Sequence, residues 1–225
     1  MDEKNYISAM IKKEILSNNI DVKGEILKVI GDELDDFIDI FSDEFLECKK
    51  IDSFFAADTN NIKGAYITAY VYSSMNNLFN ALSLLLSGYI IAAGNLTRIS
   101  MESIMIALLF SGKDLDYYNN YIESPKDFRA HKVFKYIENN KNTLRISDSL
   151  WTIIIEHKDY FNTMSHASDL TLHHIVEYNE QKSRMGVFYD NGKNEIYKKE
   201  FALRRSVLNM IGFFIYLIKE FQGIG

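Results

Sequence analysis

A single cysteine, Cys48, leaves the 225-residue chain without an intrachain disulfide and excludes any zinc site built on several thiolates. That usage suits a reducing compartment, and the expected location is the cytoplasm. Proline is equally scarce, with Pro125 alone, and glycine occurs only 11 times. An all-β fold with many short strands needs frequent chain breakers, so this scarcity argues for helices. Up to Asn19 no basic stretch precedes an apolar core, and no secretory signal is expected. The longest strongly apolar runs, residues 81–94 and 208–218, fall short of the ~18 residues that a membrane span requires. They are expected as buried core helices, with no membrane association.

Positive charge is also in short supply. The net charge is −6, and residues 1–60 hold 15 acidic and 7 basic side chains, so the rest of the chain carries about +2. Proteins that hold nucleic acid mainly through phosphates need a basic surface, because affinity comes from neutralised phosphates and released counterions. The global balance does not supply one, and no DNA binding is expected. One basic stretch stands out: Lys182, Arg184, Lys193, Lys198, Lys199, Arg204 and Arg205, opposed only by Asp190, Glu195 and Glu200. Two readings apply, a local basic patch for phosphates or a solvated face, and the second is preferred. What the chain has in quantity is apolar side chains, 47% against 25% charged, which is the composition of a globular fold. One helical domain over residues 1–225 is expected.

The acidic front, residues 1–58, reads as two amphipathic helices. Ile7, Met10, Ile11 and Ile15 make a stripe in the first, and Ile26, Ile30, Leu34, Phe37, Ile38, Phe41 and Phe45 make one in the second, from about Val22 to Phe55. The acids of the second are spaced as an outward face and lack a glycine-centred calcium loop, so no metal site is assigned to them. Residues 58–61 mark a boundary, after which residues 62–221 supply the bundle core. Helices are expected near 62–86, 87–110, 148–166 and 198–221, with shorter ones near 115–122 and from Ser124 to a stop at Asn139-Asn140-Lys141-Asn142. Ser87-Gly88 should turn the first two of these into an antiparallel hairpin. Around the Asn191-Gly192 turn, the flanks Gly186–Tyr189 and Glu195–Tyr197 are read as a small hairpin within 186–197.

Two polar clusters interrupt this apolar framework. The helix from Ser87 to Phe110 is apolar almost all round, yet it carries Arg98 and Glu102 one turn apart on a stripe with Ile91, Asn95, Met105 and Leu109. Buried charges need partners. Two readings stand: an internal ion pair that fixes helix packing, or a guanidinium fork aimed at a bound anion and oriented by the glutamate. The second cluster runs from His157 to His174 and holds four of the five histidines. Asn162 and His166 share a helix face, whereas His157 points nearly the opposite way. These spacings match no zinc motif, and neither metal nor cofactor is expected. His166 is the candidate general acid or base, because imidazole titrates near neutrality. Lys158, Ser165 and His173 flank it as candidate substrate contacts. Cys48 sits among acids, which raise a thiol pKa, so it is not a candidate nucleophile.

Taken together, the Arg98-x-x-x-Glu102 helix and the later helix ending in Asn162-x-x-x-His166 resemble the HEPN-like helical bundles of bacteria, over roughly residues 75–175. The likeness is closest to a branch that pairs an Arg-x-x-x-Glu core helix with a Ser/Asn-x-x-x-His motif. It implies a core of four or five helices and one of two roles. Some members are metal-independent ribonucleases of toxin–antitoxin and phage-defence systems, often active as dimers; others are non-catalytic binding domains. Their nuclease motif is an arginine a few residues before a histidine. Asn162 and His166 match its polar residue and its histidine, but Asp159, Tyr160 and Phe161 stand where the arginine belongs. The resemblance therefore implies that Arg98, or a partner subunit, supplies the cation. RNA, and a second copy or a partner protein, are the partners it suggests, with His166, Arg98, Glu102 and Asn162 as the catalytic set. The alternative is a binding or dimerisation module with a structural Arg–Glu pair.

Overall fold

The computed structural model describes residues 3–17, 21–113, 115–124, 130–164, 176–178, 183–185 and 194–225. Among them the protein is an all-α helical bundle of eight helices, with one short two-stranded ladder. The helices are α1 (Glu3–Ser17), α2 (Asp21–Ala56), α3 (Ile62–Leu86), α4 (Ile90–Ser111), α5 (Tyr117–Glu123), α6 (Ala130–Asn139), α7 (Asp148–Met164) and α8 (Asn194–Gln222). The strands are β1 (Val176–Tyr178) and β2 (Ser183–Met185), antiparallel with Val176 opposite Met185.

Capping chemistry fixes several boundaries. Asn61 accepts a hydrogen bond from the Gly64 amide at 2.8 Å and so starts α3, while the Ser147 hydroxyl accepts one from Leu150 at 3.2 Å and starts α7. Between α3 and α4 the chain turns at Gly88, whose φ of 84° is open to glycine and strained for other residues. The expected start of a helix at Pro125 lies outside the described residues.

The hairpin expected within 186–197 is corrected in two respects. Glu195, Ile196 and Tyr197 belong to the first turn of α8, where Tyr197 is buried with Phe201 one turn on. The ladder forms upstream, between residues 176–178 and 183–185. Residues 186–189 lie outside the described set.

The fold divides into two compact units, each assembled from three stretches. The first takes Met1–Asp43, Asn77–Arg98 and His157–Leu208. Its core is Ile26, Ile30, Phe37, Ile38, Leu82, Leu85, Phe161, Phe201 and Leu208, with the Phe37 and Phe201 rings 5.6 Å apart. At Gly94 of α4, an added Cβ would overlap the Met164 sulfur and stand 3.2 Å from Met164 Cβ, so the two backbones approach closely there.

The second unit takes Glu44–Asn76, Ile99–Glu156 and Asn209–Gly225. Here α3 and α4 run antiparallel, as the short Ser87-Gly88 turn suggests. Ser74 Oγ donates to the Ser100 carbonyl at 2.9 Å and Ser100 Oγ returns a bond to the Ser74 carbonyl at 2.7 Å. Phe110, fully buried, is ringed by Tyr66, Tyr70, Tyr117, Tyr118 and Tyr121, with centroids 5.3 to 6.3 Å away. Burial pushes the Tyr117 phenol pKa up, and burial together with a hydrogen bond to Tyr121 does the same for Tyr70. Lys219 closes this unit with a 2.6 Å ion pair to Glu47, one of whose carboxylate oxygens also meets Lys50.

Candidate functional site

α4 carries its two charges at different depths. Glu102 is buried, but Arg98 is only half-buried, with Ile99 beside it 44% exposed. The apolar sequence of α4 thus does not translate into complete burial, and the expectation of two deeply placed charges is corrected for Arg98. Thr97, Ser100 and Ser103 are buried on the same helix, and the Thr97 hydroxyl bonds back to the Ala93 carbonyl at 2.8 Å. Arg98 belongs to the first unit and Glu102 to the second.

Within the first unit, Arg98 lies one helical turn beyond Gly94, where α4 meets Met164 at the end of α7. α7 also presents Asn162, half-buried, and Lys158, half-buried with its ammonium 3.3 Å from Asp159. His157 is 9% exposed, its ring centroid 6.4 Å from that of Phe161. Ser165, His166 and His173 lie outside the described residues.

The charged cluster with the greatest burial is one the sequence concealed. Arg204 and Glu200 on α8 have no solvent exposure at all, and Arg204 Nη1 donates to both the Glu200 carbonyl and its carboxylate, each at 2.7 Å. The Tyr160 hydroxyl of α7 donates to the other carboxylate oxygen of Glu200. Burial, followed by the neighbouring Glu200 charge, pushes the Tyr160 phenol pKa up. Arg204 stands 5.8 Å over the Phe161 ring, and Lys199 places its ammonium 4.9 Å over Tyr160. Two guanidinium nitrogens of Arg204, Nε and Nη2, are buried and have no hydrogen-bond partner among the described residues.

This overturns the reading of Arg204 as part of a solvated basic face. The flanking members behave as that reading has it: Lys198 is exposed and pairs with Glu195 at 3.0 Å, Lys199 is exposed, and Arg205 is half-buried 3.7 Å from Asp36. The signal for Arg204 was present in the spacing. Tyr197, Phe201, Arg204, Leu208 and Ile211 recur at helical intervals, which puts the arginine on the buried stripe of α8.

Other polar features carry less. Cys48 is fully buried, and burial followed by the charge of Glu44 raises its thiol pKa. Among the described residues no group of three or more His, Cys, Asp or Glu could hold a metal ion. A surface depression of about 430 Å³ on α6, lined by Lys132, Lys135, Tyr136 and Asn139, includes none of the candidate residues. α8 is long and apolar enough, by length and composition, to cross a membrane, and 56% of its most apolar window is buried inside the fold. Comparison with family models, with curated proteins and with solved structures finds no match.

Proposed function

We propose that the protein is an HEPN-like bacterial stress or phage-defence protein acting on RNA at the face of the first unit where α4 meets the end of α7. The observation that supports this reading is the close approach of Gly94 to Met164. It sets the helix bearing Arg98 against α7 two residues before His166 in the sequence. Arg98 is half-buried rather than sealed, as a group that must meet a phosphate would be.

In this reading Arg98 stabilises charge developing on the scissile phosphate and His166 moves the proton at the attacking or leaving oxygen. Asn162, one turn before His166, orients it. Lys158, Ser165 and His173 contact the strand. No metal takes part, so cleavage should persist in a chelator. A second copy of the chain would bring two such faces together.

Expression toxicity provides the test. The native chain, induced in a bacterial host, should slow growth, and Arg98→Ala or His166→Ala should each abolish the effect. Equal growth inhibition by the native chain and either variant rejects the shared site.

A second reading, a non-catalytic binding or dimerisation module in which Arg98 and Glu102 have a structural role, is favoured by the burial of Glu102. Under this reading none of the variants above changes growth.

A further inference from the structure

The orphaned edge of Arg204 has a definite chemistry. A guanidinium offers its donors in a planar fork, and the edge formed by Nε–H and the neighbouring Nη2–H presents two parallel donors that match two oxygens of one carboxylate or phosphate group. In the first unit the opposite side of Arg204, Nη1, is already engaged by the Glu200 carbonyl and carboxylate at 2.7 Å. The Nε and Nη2 edge has no hydrogen-bond partner among the described residues, and both atoms are buried away from water. Leaving two charged donors unpaired at zero exposure is expensive, so the position calls for an acceptor.

We propose that the Nε/Nη2 edge of Arg204 binds an oxyanion through two of its oxygens, either an inorganic or organic phosphate or a carboxylate. Charge balance fits a monoanion. Glu200 neutralises Arg204, and Lys199, placed over the Tyr160 ring at 4.9 Å, offers a second positive charge within the same cluster. Tyr160 keeps Glu200 turned toward Nη1 by donating to its other oxygen, which leaves the free edge for the ligand. Phe161, 5.8 Å beneath the guanidinium, gives one flat face to the site. The inference is independent of the RNA reading, because it uses neither Arg98 nor His166.

The test uses the full-length protein purified in a chloride buffer free of phosphate and carboxylates. Native mass spectra are recorded first, then melting temperatures with increasing inorganic phosphate, acetate or, as control, sodium chloride at matched ionic strength. Binding at roughly 100 times the dissociation constant should raise the melting temperature by about 5 to 10 °C. Arg204→Lys, which keeps the charge but has no fork, should lose the rise. A response to phosphate alone assigns a phosphate group, and a response to acetate alone assigns a carboxylate. An anion retained in the native spectrum of the wild type and missing from Arg204→Lys also supports the site. If the wild type carries no anion and neither salt stabilises it beyond chloride, the proposal is wrong. It is equally wrong if Arg204→Lys responds as the wild type does.

Discussion

Arg204 donates from one nitrogen to both the backbone carbonyl and the carboxylate of Glu200, one turn earlier on the same helix, and neither side chain has any exposure. An ion pair so placed contributes little over an apolar pair of equal volume, yet breaking it from one side strands a buried charge. Arg204→Met and Glu200→Met should each lower unfolding free energy by ~3–5 kcal/mol, measured by urea denaturation. The double variant should recover most of that loss. Two additive losses would mean that the pair is not the unit that matters.

Tyr160 tests the same cluster through pH. Its raised pKa means that, above the ordinary tyrosine value of about 10, the unfolded chain releases a proton that the folded chain keeps. The corresponding stability is complete below pH ~10 and is lost as pH rises through the folded value. Tyr70 and Tyr117 act in the same direction. The urea midpoint should therefore fall above pH ~10, and less steeply in Tyr160→Phe. At neutral pH that variant should lose ~1–3 kcal/mol, because Glu200 keeps its charge and loses a donor.

Two helix glycines should answer to alanine with opposite signs. At Gly94 the new Cβ meets Met164, and forcing that contact should destabilise by ~1–3 kcal/mol. Trimming Met164→Ala in the same chain should couple favourably with it. At Gly31 on α2 nothing lies within 4 Å of the added carbon, so Gly31→Ala should stabilise by ~0.5–1 kcal/mol through helix propensity. Thermal melts of the two single variants report the contrast.

Cys48 should be silent. Its full burial and raised pKa predict that a thiol-specific disulfide reagent labels nothing in the folded protein and one thiol per chain in urea. Rapid labelling of the native state would contradict the burial of Cys48.

The long helices could be read directly because their apolar residues repeat at helical spacing over many turns. α2 runs Asp21–Ala56 where Val22 to Phe55 is expected, and α3 runs Ile62–Leu86 as expected. The start of α8 was hidden. The turn residues Asn191-Gly192 and the β-formers Ile196 and Tyr197 suggest a strand locally, but burial of Tyr197 against the core favours the helix, so tertiary packing overrides local preference. The site was less legible. Arg98 and Arg204 each have a glutamate one turn away, and composition around them points the wrong way in both cases. Arg98 sits in an apolar run and is half-exposed, whereas Arg204 sits among lysines and is sealed. Only position on the helical stripe separates them, and for Arg98 the stripe reaches the surface. Ser165, His166 and His173 lie outside the described residues, so the sequence alone carries their assignment.

Cleavage of RNA by the purified chain is the most direct test of the proposed role. With a chelator present, the native protein should cut a mixed-sequence single-stranded RNA, and Arg98→Ala and His166→Ala should each cut at least ~100-fold more slowly while melting within a few degrees of the wild type. Absence of cleavage by the native protein, or unchanged rates in either variant, would contradict the account.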